Sequence, residues 1–214
     1  MIINPYIFGS VPPLHDYATL NPADIGSNLT LSSGNLEVTT SGSTWTMVRA
    51  DQGKDAGKWV WEATNIANGA ANGAMIVGFV LGTDTLATFP GSGAGSNMSM
   101  GWQANNITAG GTQYQNGFLG VPSPGGTSIG PGGSCMLAID LDAGKLWIRN
   151  NNTSDWAGGG NPALGTTPSF VFTPGLMLFP AIGENPASQT VLANFGATGF
   201  DQAVPSGFNA GWYE

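Results

Sequence analysis

The 214-residue sequence is poor in the groups that most protein chemistry uses. It has one cysteine, Cys135, so no intrachain disulfide can form and stability must come from packing. Its single histidine, His15, excludes most histidine-dependent catalysis and any multi-histidine zinc site. Five Lys+Arg stand against thirteen Asp+Glu, for a net charge of −8. Without a cluster of Lys/Arg, neither nucleic acid nor an anionic membrane surface is an expected partner. No run approaches 18 apolar residues, so no membrane-spanning helix is expected. Met1–Pro13 has neither a charged start nor a long apolar stretch, so no secretory leader is expected there. Helical periodicity is nearly absent. Only Pro22-Ala23-Asp24 suggests a helical turn, with Asn21 as its cap.

Glycine and proline are plentiful, at 34 and 14, and seven Trp and ten Phe oppose disorder because aromatics bury enough area to offset chain entropy. Apolar residues alternate or run in short blocks between Gly, Pro and Asn, the pattern of an all-β sandwich or barrel. Strands are expected at 29–31, 36–38, 44–50, 58–65, 74–81, 98–102, 112–118, 136–142, 145–149, 175–179 and 190–195. In 58–65, Trp59, Trp61 and Ala63 share one face, with Val60, Glu62 and Thr64 on the other. The clearest signal is a hairpin turning at Ala143-Gly144, where glycine supplies a positive φ. Gly91–Asn97, Val121–Gly133 and Asn150–Pro168 are expected as loops, the last two long enough to carry binding.

Five pieces in order resemble a SPRY domain, a concanavalin-like antiparallel β-sandwich: Gly57-Lys-Trp-Val-Trp-Glu62; Val77-Gly-Phe-Val80; Leu137 to Ile148 running into Asn150-Asn-Asn; Leu178-Phe-Pro-Ala-Ile-Gly183; and Val191-Leu-Ala-Asn-Phe-Gly196. The closing Pro205-Ser-Gly-Phe208 is similar to the family's tail. The likeness extends to SPRY-like proteins of bacteriophages, through Leu20-Asn-Pro-Ala-Asp24, Leu31-Ser-Ser-Gly-Asn-Leu36 and the opening Ile3-Asn-Pro-Tyr6. It implies recognition by loops at one rim, mostly of proteins or peptides, in a fold that also hosts glycan binders and few enzymes. Residues 1–20 are expected to form an extended arm and 21–214 the sandwich.

The resulting expectation is a non-enzymatic phage virion component, made in the host cytoplasm and oligomeric within an assembly, with other virion proteins as partners. The alternatives are a module for host-surface glycan or receptor, or an intracellular protein-binding adaptor. The candidate contact residues are Tyr6 and Phe8 in the arm and Trp102, Tyr114, Trp156 and Asn161 in the loops. An exposed indole beside amides suits a sugar face, but loop tryptophans also pin long loops. No cofactor is expected, and no metal: Asp140 and Asp142 are too closely spaced for a calcium loop and read as solvated polar-face residues. Glu62 reads as an edge residue or a partner of Lys58. Glu37, Glu62 and Glu184 lie singly, unlike the paired acids of a glycosidase. Cys135 reads as a buried thiol.

Overall fold

A computed structural model describes residues 15–68, 74–93, 99–103, 112–116, 118–119, 129–150, 155–185 and 188–214. Fourteen strands follow in chain order: β1 (Leu20–Ile25), β2 (Leu29–Ser32), β3 (Glu37–Thr40), β4 (Thr46–Ala50), β5 (Lys58–Ala67), β6 (Ala74–Leu81), β7 (Met100–Gln103), β8 (Thr112–Gln115), β9 (Phe118–Leu119), β10 (Ser134–Asp140), β11 (Lys145–Asn150), β12 (Phe170–Val171), β13 (Leu178–Asn185) and β14 (Thr190–Asn194). They make two seven-stranded antiparallel sheets. The first runs β1-β4-β13-β6-β7-β8-β9 and the second β12-β11-β10-β5-β14-β3-β2.

The inner faces meet in one apolar core. Trp61 stacks on Phe195 with ring centroids 5.7 Å apart, and Phe79 from the facing sheet meets Trp61 edge-on. Leu137, Ile139, Val77 and Ile182 are fully buried around them. Each such side chain contributes about 1.5–3 kcal/mol by leaving water. Alternation therefore performs as expected in β5: Trp61 and Ala63 face the core, while Val60 belongs to a separate cluster on the outer face. The continuous apolar run of β6 is buried on both sides. There Gly78 lets neighbouring backbones touch, since a Cβ would sit 1.8 Å from the Met100 carbonyl oxygen. Cys135 is buried in the core.

Three expectations change. Pro22 lies in a strand rather than a helical turn. Asn21 does accept the Ala23 amide at 2.9 Å, but β1 is an edge strand, where a missing N–H costs no ladder bond. Arg49 of β4 holds that edge, donating to both carboxylate oxygens of Asp24 at 2.5 and 2.6 Å. The central hairpin turns over Leu141–Gly144, because the Asp140 carboxylate accepts the Ala143 amide at 2.9 Å and ends β10 early. Gly144 takes φ +63° there. The strand expected at 175–179 is displaced to β13, and the loop before β12 holds two short 3-10 turns, Ala157–Gly159 and Pro162–Leu164.

The first and last described segments are joined. Ala18 donates to the Trp212 carbonyl at 2.9 Å, Glu214 donates to Asp16 at 3.0 Å, and His15 stacks on Tyr213 at 3.7 Å. Of the expected arm, residues 15–20 pack on the sandwich, with Ala18 and Leu20 in the core. Tyr6 and Phe8 lie outside the described residues.

Candidate functional site

The outer face of the second sheet carries a polar arrangement built from its register. Met136 of β10 lies opposite Glu62 of β5 on one side and Arg149 of β11 on the other; one step along, Ala138 lies between Val60 and Trp147. Two segments cover this face. The loop after β11 brings Trp156, and the chain near its end brings Phe200, Val204 and Phe208, all packed on Val60, Met136 and Ala138.

Polar contacts pin both segments. Trp147 donates from Nε1 to the Thr166 carbonyl at 2.8 Å, and Lys145 reaches the Gly165 carbonyl at 2.8 Å. Asn161 caps the second 3-10 turn by accepting the Leu164 amide at 3.1 Å. Arg149 stacks its guanidinium on the Trp156 ring, 4.6 Å from the centroid, and donates from Nη2 to the Ala203 carbonyl at 2.8 Å. Its buried Nε has no hydrogen-bond partner among the described residues. Glu62 accepts the Asp201 amide on Oε1 at 3.1 Å.

Between the two segments lies a cleft of about 400 Å³, lined among others by Arg149, Asp155, Trp156, Asn161 and Val204. Leu164, 74 % exposed, stands next to its wall residue Ala163. The cleft offers a flat cation-on-indole surface and an amide side chain, with an exposed leucine following its wall residue Ala163 in sequence, a combination suited to a peptide chain.

Burial sets the electrostatics. It raises the Glu62 carboxyl from its ordinary 4.5 to about 7; the Asp201 charge adds to this, and the Asp201 and Gln202 amides and Arg149 oppose it. Burial lowers Arg149, with Glu62 opposing. Burial also holds Glu184 well above the carboxylate range. The Cys135 thiol is pushed far up, first by burial and then by the Glu62 charge.

Two of the expected contact residues, Trp156 and Asn161, are thus brought together. Trp102 is not a loop contact: it is 2 % exposed and lies in the core, because β7 pairs it with Val77 in the sheet interior. Tyr114 is half-buried in the other sheet, edge-on to Phe89 at 5.3 Å, where burial raises its hydroxyl pKa. Glu62 is neither an edge residue nor a partner of Lys58. It lies on a central strand, and four residues of extended chain separate it from Lys58 by about 13 Å. Lys58 pairs instead with Asp140 at 2.9 Å, and Asp140 is buried rather than solvated. Asp142, beyond the strand, accepts the Gly57 amide. Sequence reasoning missed Arg149 and Glu62 as site residues; the available signal was their place on the outward-facing phase of strands whose inward phase is apolar.

The architecture has close counterparts of known fold. The SPRY domain of human HERC1 superposes with a TM-score of 0.60 over 82 % of this chain and 96 % of that one, at 14 % identity. The TRIM65 PSpry domain gives 0.57 over 83 % and 91 %, at 17 % identity. The fold is SPRY-like. Stonustoxin contains a similar region, at TM-score 0.56 and 17 % identity, covering 89 % of this chain and 30 % of that one. No protein-family model matches the sequence, and no curated protein matches it.

Proposed function

We propose that this SPRY-like domain is a non-enzymatic protein-binding module that engages an extended peptide segment of its partner at the Arg149–Trp156 cleft. The observation that carries the reading is the Arg149–Trp156 stack, which lines the cleft together with Asn161 and whose buried guanidinium Nε keeps no hydrogen-bond partner among the described residues. Rigid aromatic and guanidinium groups of this kind dominate binding energy at protein interfaces. The structural likeness to two SPRY domains supports a binding role over a catalytic one.

The setting we propose is a bacteriophage virion, where the domain docks on other virion proteins. Support for that setting comes from the sequence resemblance of Leu20–Asp24 and Leu31–Leu36 to phage SPRY-like proteins. The expected location is therefore the particle.

One experiment tests both parts. A photo-crosslinking residue is placed at Ala163, and cross-links are mapped in purified particles and in infected-cell extract. The expected result is a cross-link to one virion protein, with affinity for its peptide reduced at least about thirtyfold by Leu164→Asp or Trp156→Ala. Leu164→Asp is at the surface and leaves the fold intact. Cross-links confined to a host protein would remove the virion setting and keep the binding module. Unchanged affinity in both variants would remove the cleft.

A further inference from the structure

The chain after β14, which lines the Trp156 cleft at Ala203, Val204 and Pro205, also lines a second cavity of about 340 Å³ at Ala197, Thr198, Gly199 and Asp201. Leu36 and Leu192 supply apolar wall, while Glu62 and Asp201 supply the charge; among the described residues no basic side chain lines it. The loop over it is held open by Asn194, which accepts the Gly196 amide at 2.9 Å and donates to the Gly199 carbonyl at 3.0 Å. The cavity is thus a built feature of the loop rather than a gap between mobile side chains.

Glu62 is the unusual member. It is 2 % exposed, Oε1 is taken by the Asp201 amide, the Gln202 amide and the Arg149 charge also act on the carboxyl, and Oε2 is buried with no hydrogen bond of ordinary geometry among the described residues. An unmatched buried carboxyl oxygen is destabilising unless a donor or a positive charge comes to it. Asp201, exposed at the same cavity, adds a second negative group. Two carboxyls among apolar walls, with no lining base, select a cation that carries hydrocarbon and reject anions. A guanidinium cannot grip Glu62 with its planar fork, which needs two free carboxylate oxygens side by side where Glu62 has one. A primary ammonium is a compact charge on a slender stem.

We propose that this cavity binds a primary ammonium on an aliphatic stem, the ammonium against Glu62 and Asp201 and the stem against Leu36 and Leu192. The site is separate from the Arg149–Trp156 cleft and does not depend on the peptide-binding reading. Two sources present this chemistry: the lysine side chain of another protein and a free alkylamine.

The test is a titration of the full chain, followed by backbone amide NMR shifts, with n-butylammonium, N-acetyl-lysine methylamide and the neutral isostere n-butanol. The expected result is saturable shifts in Thr64 and Leu192–Asp201 with both amines, and binding of butanol at least about tenfold weaker. Glu62→Gln, which keeps an acceptor for the Asp201 amide, is expected to weaken amine binding at least about tenfold. Asp201→Asn, at the surface, gives a weakening of its own and serves if Glu62→Gln fails to fold. Comparable affinity for both amines assigns a lysine side chain, and tight binding of butylammonium alone assigns a free amine. Butanol binding as tightly as butylammonium, shifts confined to other regions, or unchanged affinity in the variants overturns the site.

Discussion

Replacing Glu62 with glutamine isolates a burial cost that depends on pH. The carboxyl sits at about 7 in the folded protein against an ordinary 4.5, mainly because burial penalises its charged form. Between those values the folded state holds more protons than the unfolded state, so stability falls as pH rises. Below about 4.5 both states are protonated and the cost vanishes; above about 7 both are ionised and the cost is constant. The full shift corresponds to about 3 kcal/mol. Solvent at the cavity mouth screens part of it, and about 2 kcal/mol is a working figure. Glutamine preserves the shape and the acceptor for the Asp201 amide but has no proton to lose. Urea midpoints for both proteins, taken every half unit from pH 4.5 to 8, are the assay. Glu184 titrates in the same direction in both proteins and cancels in the difference. The variant is expected to gain about 2 kcal/mol relative to the native sequence across this window, nearly all of it below pH 7.5. A difference that stays flat within about 0.5 kcal/mol would refute the assignment of the cost to Glu62.

Two further outcomes follow from the core. Cys135 is fully buried, and burial together with the Glu62 charge raises its thiol pKa, so the native protein is expected to leave a thiol reagent such as Ellman's unreacted at pH 8, while one equivalent reacts in urea. Gly78→Ala places a methyl 1.8 Å from the Met100 carbonyl, a backbone atom that cannot swing away, so a loss of at least about 3 kcal/mol or failure to fold is expected, read by urea denaturation. Stability within about 0.5 kcal/mol of the native chain would show that β6 and β7 are not in this contact.

How far the residues alone carry can be judged strand by strand. Period-two alternation put Trp61 and Ala63 on one face of β5, the face that the structure turns inward, and the apolar run of β6 was located with its limits, because side-chain phase along an extended chain is a local property. The same local rules misjudged Pro22, since only pairing partners reveal that β1 is an edge, and they began β13 three residues early, at Gly175, since the apolar run Leu176-Met177-Leu178-Phe179 reads as strand until β6 and β4 fix the register at Leu178–Asn185. Sequence marked Trp156 and Asn161 as loop residues worth attention. It could not supply Arg149 or Glu62, whose meaning depends on β10 placing Met136 between them and on a segment some fifty residues beyond Arg149 folding back to close the face.

The amino-acid order settled what local physics controls: a β chain without disulfides, its inward and outward residues, its turn glycines and a deficit of positive charge. Tertiary structure alone decided which outward residues meet. A carboxyl becomes a buried acid, an arginine stacks on an indole and Trp102 becomes core because of groups distant in sequence, and strand alternation carries no information about which distant segment will cover a face.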